Sequence, residues 1–323
     1  MASASTAATA RDPAAWELAS GGGNGSLAAA EALCRRIAAR HYENFSVVTR
    51  LVPARLRQPF ATIYAFARWS DDLADEAATP EAGLAALDAW RRRLDDCFAG
   101  RPDHPVFVAL AETARRTGLA QQPFSDLLDA FAEDLRFDAA GTLVRYATRN
   151  DLVAYCRRSA DPVGRIVLAL EGCRDPERVA MSDAICTGLQ LVNFWQDVRR
   201  DRRAGRVYIP AADLGRHGID PDSLDAAAAT PAVRDLLCDE VAWARACFDR
   251  GTALTTIAPP ALRPAITAFL GGGRAVADAI ERGGYDTLAR RPIVSRWTKL
   301  RLVGRAWWAA AAGRWPLART RGA

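Results

Sequence analysis

Four acidic side chains fall within six residues in the stretch Tyr64-Ala-Phe-Ala-Arg68-Trp-Ser-Asp71-Asp72-Leu-Ala-Asp75-Glu76. On a helix, Asp71 and Asp75 stand four apart on one face. Tyr64 and Arg68 share that face, because offsets of four, seven and eleven return near the starting direction at roughly 100° per residue. Two carboxylates in this relation repel unless a cation sits between them. A second stripe lies far downstream, in Gln190-Leu-Val-Asn193-Phe-Trp-Gln196-Asp197-Val-Arg-Arg-Asp201. Offsets of three, seven and eleven from Gln190 put Asn193, Asp197 and Asp201 on one face. Two such stripes, distant in sequence, suggest two walls of one site.

Hard cations take oxygen ligands, and Mg²⁺ commonly binds one or two carboxylates together with substrate phosphates and water. Two facing aspartate pairs would hold a diphosphate through shared metals, and metal charge stabilises diphosphate as it leaves. Arg68 and Arg206 add bidentate contacts to its oxygens. Departure of diphosphate leaves a carbocation, which aromatic faces stabilise. Ordinary explanations stand beside this one. A single D-x-x-x-D on a helix is commonly a solvated face, and Arg199, Arg200, Arg202 and Arg203 offer Asp197 and Asp201 surface ion pairs. Aromatics such as Phe131, Phe137, Phe194, Trp195 and Phe269 are commonly plain core. The two stripes together, with the Arg206-x-Tyr208 turn after the second, favour the metal–diphosphate site.

These side chains need helices to carry them. Half of the 323 residues are apolar and a quarter are charged, a soluble globular balance. Ala-rich segments with few β-branched runs favour helix, and no alternating strand pattern or hairpin signal interrupts them. Residues 1–25 are Ala/Ser/Gly-rich and read as a disordered tail; residues 26–323 read as one all-α domain. Helices are expected near 26–42, 54–76, 80–99, 104–117, 123–137, 148–159, 162–172, 177–203, 231–256, 260–281 and 293–313. Thr79-Pro, Asp161-Pro, Asp175-Pro and Thr230-Pro read as capped helix starts, and Thr148 with Asp151 as a capping box. Gly271-Gly-Gly273 reads as a kink or break.

The formal charge of +5 suits an anionic substrate or membrane surface. No dense basic tract with interleaved aromatics supports nucleic-acid binding. Seven scattered Cys without a C-x-x-C pair fit a reduced cytoplasm. Three isolated His make a zinc site unexpected. No signal peptide and no run of about 20 apolar residues is visible. The segment Arg291–Arg321 is basic and carries Trp297, Trp307, Trp308 and Trp315. It is expected either to lie at an inner-membrane surface or to dock as a terminal helix.

From about His41 to Lys299 the chain resembles the squalene/phytoene synthase family. Four features carry the likeness: Tyr64-x-x-x-Arg68-x-x-Asp71-x-x-x-Asp75, Tyr155-Cys-Arg-Arg-Ser-Ala-Asp-Pro-Val-Gly164, Gln190-x-x-Asn193-x-x-x-Asp197-x-x-x-Asp201, and Arg206-x-Tyr208-Ile-Pro210. The resemblance implies a single all-α isoprenoid-synthase bundle around a central cavity. It implies Mg²⁺ at Asp71, Asp75, Asp197 and Asp201, with Asn193 close by, and diphosphate contacts from Arg68, Gln190, Arg206 and Tyr208. It places Phe45, Tyr64 and Tyr155 along the cavity, with Tyr155 among the catalytic groups, and His41, Asn44 and Gln196 among the substrate-binding ones. The wording of Tyr42-Glu-Asn-Phe45, Cys156 to Gly164 and Asn193 to Asp197 is most similar to the bacterial hydroxysqualene synthase branch. That branch ionises presqualene diphosphate, rearranges the cation and captures it with water. It works beside a presqualene diphosphate synthase and a flavin-dependent reductase. No NADPH is then expected, and no dinucleotide fingerprint is present. Many family members have Arg where Gln196 stands and Ser where Tyr42 stands. A neutral Gln196 beside the second stripe suits chemistry on one diphosphate, with its amide near the cavity mouth where it can orient water. Sibling activities on the same fold are presqualene diphosphate, squalene or phytoene synthesis. A non-catalytic helical assembly factor and a plain helical binding module are the alternatives outside enzymes, and the acidic stripes disfavour both.

Overall fold

The computed structural model describes residues 26–41 and 51–294. The described chain is helical and contains no strand beyond one isolated parallel bridge between Val144 and Val207. The helices are α1 (Leu27–His41), α2 (Ala54–Asp75), α3 (Pro80–Phe98), α4 (Pro105–Thr117), α5 (Gln122–Ala139), α6 (Arg149–Ser159), α7 (Asp161–Ala169), α8 (Pro176–Arg203), α9 (Ala211–Arg216), α10 (Pro231–Gly251), α11 (Leu254–Ile257) and α12 (Arg263–Arg282). A 3₁₀ turn covers Pro221–Asp225. The all-α expectation therefore holds. The N-terminal stretch 1–25 and the Trp-bearing stretch from 295 lie outside the described residues, as do Tyr42, Asn44 and Phe45.

Most of the expected starts are built as the sequence suggests. Thr79 accepts from the amide of Ala82, Asp175 from that of Arg178 and Thr230 from that of Val233, each with Pro next in the chain. Thr148 and Asp151 form a reciprocal capping box. Asp161 differs. Only Ala160 separates α6 from α7, so no extended cap residue fits, and Asp161 becomes the first residue of α7. Its carboxylate turns inward and accepts from the Thr187 hydroxyl at 2.9 Å.

The expected break at Gly271–Gly273 is absent; α12 runs through it. Gly273 serves close packing instead. A Cβ on Gly273 would stand 2.4 Å from Phe248 Cζ and 2.8 Å from Leu189 Cδ2, so its absence lets α12 approach α8 and α10. The helix expected over 231–256 is divided between α10 and α11. The short α9 and the 3₁₀ turn carry too few periodic positions to be seen in the sequence.

The buried side chains form one hydrophobic cluster. Helix α2 packs on α1, α3, α4 and α5, while α8 lies along α7, α10 and α12. Phe66 of α2 meets Phe124 edge-on at 5.2 Å and Phe107 at 6.0 Å. Burying each such ring contributes on the order of 2 kcal/mol. That burial fixes the rotation of α2, and so turns the Tyr64–Arg68–Asp71–Asp75 stripe away from the core. Trp195, Leu191 and Val198 do the same for α8. Helices α5 and α6 pack together, α5 against α2 and α6 against α8, and so connect the two walls.

Candidate active site

Both carboxylate pairs sit at helix C-termini. Asp75 is the last residue of α2, and Asp197 and Asp201 lie in the last two turns of α8. The helix dipole is negative there, so like charges gathered at that end are disfavoured until a cation arrives. Asp71 is pushed up to about 6, first by burial and then by the Asp75 carboxylate, with Arg68 opposing. Asp201 is pushed up to about 7, first by burial and then by Asp197, with Arg200 and Arg206 opposing. Asp75 and Asp201 make no ion pair among the described residues. Of the four arginines after Asp197, Arg202 pairs with Asp222 at 2.9 Å and Asp225 at 2.6 Å, Arg199 donates to the Leu288 carbonyl at 2.7 Å, and Arg200 acts on Asp201 through its charge.

One guanidinium belongs to the α2 wall and a second acts on both walls. Arg68 lies against Asp71 at 3.2 Å and Asp72 at 2.5 Å, with the Tyr64 phenol close to it. Arg206 follows the end of α8. The chain reverses through Gly205, whose φ of 75° favours glycine, and the Arg206 amide donates to the Asp201 carbonyl at 2.8 Å. The Val207 amide then donates to the Leu143 carbonyl at 2.8 Å. This turn lays Arg206 where its charge acts on both Asp71 and Asp201. The Nε of Arg68 and the Nε of Arg206 are both buried and unpartnered among the described residues. A buried unpaired donor is costly, and two of them on facing walls suit an anion with several oxygens. A narrow cleft beside Arg206 is lined by Phe194, Val198, Asp201, Arg206 and Tyr208 among others.

Tyr155 and Tyr208 stand together in this wall. Phe194 stacks on Tyr208 with centroids 4.0 Å apart, and Tyr155 lies 6.3 Å from Tyr208. Asp134 of α5 accepts from the Tyr155 hydroxyl at 2.6 Å and from the Tyr208 hydroxyl at 3.3 Å. Burial drives the Tyr155 phenol well above its ordinary range, so it remains a donor. Arg145, whose side chain is wholly buried, donates to Asp134 at 3.0 Å and pairs with Asp138, and Asp138 also takes Arg206 at 2.8 Å. Asp134, Asp138 and Arg145 were not among the residues expected from the sequence. Their signal is there in the third D-x-x-x-D, Asp134-Leu-Arg-Phe-Asp138, with an arginine seven residues on.

The remaining expected residues divide. Gln190 is half-buried and Asn193 is exposed on the carboxylate face of α8. His41 ends α1, but its side chain lies outside the described residues. Gln196 is not at a cavity mouth. It is 7% exposed, donates to the Pro292 carbonyl at 2.5 Å and accepts from Arg291 at 3.3 Å. One residue along a helix is a turn of 100°, so Gln196 cannot share the face of Asp197. Nor does its neutrality leave Asp197 without a cation. Arg291 binds both Asp197 oxygens, at 2.5 and 2.9 Å.

The described residues hold no cluster of three or more His, Cys, Asp or Glu side chains able to ligate a metal by themselves. Each wall offers a pair. That fits divalent ions whose coordination is completed by phosphate oxygens and water, and it does not fit a closed all-protein cage.

An all-α bundle with two aspartate-lined walls and two guanidiniums between them defines the class. The family model for squalene/phytoene synthase matches residues 38–298, and the chain belongs to that family. It is 32% identical over 290 residues to the 15-cis-phytoene synthase of Synechococcus elongatus, covering 85% of this chain and 91% of that one. It is 32% identical over 281 residues to the phytoene synthase of Arthrospira platensis, covering 83% and 89%. Among solved structures it is similar to squalene synthase HpnC from Alicyclobacillus acidocaldarius, with a TM-score of 0.75 and 44% identity over 80% of this chain and 95% of that one. A ligand complex of a dehydrosqualene synthase shares the fold, with a TM-score of 0.78 at 24% identity, covering 88% of this chain and 98% of that one.

Proposed function

We propose that this protein is a hydroxysqualene synthase. It ionises presqualene diphosphate, rearranges the cyclopropylcarbinyl cation and captures it with water, giving hydroxysqualene and diphosphate. The observation that carries prenyl-diphosphate chemistry is the pairing of two open carboxylate stripes with two guanidiniums whose Nε donors are unspent. The choice of branch is supported by the 44% identity to the Alicyclobacillus protein and by the wording of the motifs around Tyr155 and Asn193.

Asp71, Asp75, Asp197 and Asp201 would hold Mg²⁺, with Asn193 beside them. Bound there, the metal would neutralise the diphosphate oxygens and stabilise their departure. Arg68, Arg206, Gln190 and Tyr208 bind and orient the diphosphate. The stacked rings of Phe194, Tyr208 and Tyr155 offer faces to the cation and exclude stray water. The Tyr155 hydroxyl points at Asp134, so its proton is held and its ring face remains for the substrate. No NADPH takes part, and a presqualene diphosphate synthase and a flavin-dependent reductase are the expected partner enzymes.

One other reading has observations of its own. The curated relatives above are phytoene synthases, and Arg291 supplies the cation that Gln196 lacks beside Asp197. Both favour a head-to-head condensation of two prenyl diphosphates. A non-catalytic assembly role on this fold has no use for two acidic stripes that each keep a carboxylate without an ion pair among the described residues.

Incubation with presqualene diphosphate and Mg²⁺, without NADPH, should yield hydroxysqualene, and farnesyl diphosphate alone should yield little product. Efficient conversion of farnesyl diphosphate to presqualene diphosphate moves the protein to the condensing siblings. Squalene formed only with NADPH makes it a conventional squalene synthase. No described helix is long and apolar enough to cross a membrane. The lipid substrate and the basic, Trp-bearing stretch after Arg291 lead us to place the enzyme at the inner face of the cytoplasmic membrane. Flotation with anionic vesicles at low salt should carry it upward; a protein left at the bottom of the gradient is not peripheral.

A further inference from the structure

The third D-x-x-x-D belongs to neither metal wall. Asp134 and Asp138 lie one turn apart on α5 and face cations instead of one another's repulsion. Arg145 spans them, and its side chain is wholly buried. Asp138 then reaches the Nη2 of Arg206 at 2.8 Å. Among the described residues, Nη2 is the one atom of the Arg206 guanidinium with a partner. Its Nε is buried and has no partner among the described residues.

A long Arg side chain at a helix end has several rotamers, and ordering it costs on the order of 1–2 kcal/mol of conformational entropy. A guanidinium held at one Nη has met part of that cost before a ligand arrives. The same α5 pair controls its neighbour: Asp134 accepts from the Tyr208 hydroxyl, two residues along the turn from Arg206. The turn that carries Arg206 is thus held to α5 at two points, by the Asp134 and Asp138 carboxylates.

We propose that Asp138, braced by Arg145, is a positioning residue for Arg206, holding its Nη2 so that the Nε donor stays presented to a diphosphate. The inference rests on the diphosphate reading above. It assigns Asp138 no contact with substrate and no metal.

Calorimetric titration of inorganic diphosphate in the presence of Mg²⁺ tests it on the full chain. Asp138→Asn should weaken binding about tenfold, the scale of a coupled pair. Arg206→Gln should weaken it at least as much. Adding Asp138→Asn to Arg206→Gln should then change the affinity less than about twofold, because the carboxylate has nothing left to position. Asp138→Glu keeps the charge but shifts it by one methylene, so it should lose about threefold, and it serves if the Asn variant folds poorly. Wild-type affinity in both Asp138 variants overturns the inference. So does a full tenfold loss from Asp138→Asn in the Arg206→Gln background, which marks a general effect on structure. Wild-type protein that binds no diphosphate overturns the functional reading, and this inference with it.

Discussion

The stripe on α5 and the stripes on α2 and α8 share one spacing and reach opposite ends. Asp134 and Asp138 are met by the buried guanidinium of Arg145, by Arg206 and by two phenols. Burial still pushes Asp134 above the usual carboxylate range, and the Tyr155 hydroxyl and Arg145 work against it. Asp71 with Asp75, and Asp197 with Asp201, instead press on each other at the negative ends of their helices. Arg68 and Arg291 reach one member of each pair and leave Asp75 and Asp201 without an ion pair among the described residues. Identical spacing thus yields one pair closed by the chain's own cations and two pairs in which one carboxylate has no ion pair among the described residues. The partner, not the interval, makes the difference.

The contrast breaks most sharply if the open pairs do not need metal. Excess chelator should abolish turnover. Asp71→Asn or Asp197→Asn should lower kcat about a hundred- to a thousandfold, the scale of losing a key electrostatic stabiliser. Full turnover in chelator, or from both variants, removes the metal–diphosphate site.

The closed pair should matter to folding more than to metal. Arg145→Met leaves two carboxylates facing each other in a buried setting, and breaking such an ion pair costs about 3 kcal/mol. Urea denaturation followed by far-UV circular dichroism measures it. A loss below about 1 kcal/mol would mean that Asp134 and Asp138 find other partners and that the contrast is superficial.

The smallest effect has the opposite sign. In metal-free protein, Asp75→Asn relieves like-charge repulsion and should raise stability by about 0.2–0.5 kcal/mol. Thermal melts at low salt with chelator present would show a small upward shift that 0.5 M salt erases. A lower Tm would show that Asp75 already has a structural partner and that the α2 stripe is closed like the one on α5.

Much of this arrangement is legible in the chain alone. Helical periodicity places Asp71 with Asp75 and Asp197 with Asp201 on single faces, because local geometry decides which side chains share a face. Proline after Thr79, Asp175 and Thr230 marks helix starts, because a cap needs only residues close in sequence. The family likeness rests on such local runs too. Reading stopped where partners come from elsewhere in the chain. Arg291 reaches Asp197 from 94 positions away, and nothing in the neighbourhood of Gln196 announces that it will be buried under Pro292. Gly273 reads as a helix breaker until Phe248 of another helix is seen against it. Asp161 reads as a cap until Thr187 claims it. The sequence by itself determined the helices, the faces they carry and the residue types offered to the site. Only the tertiary structure decided which carboxylates were left bare, because charge is neutralised by whatever folds within a few ångströms, and contact at that range is set by packing between helices.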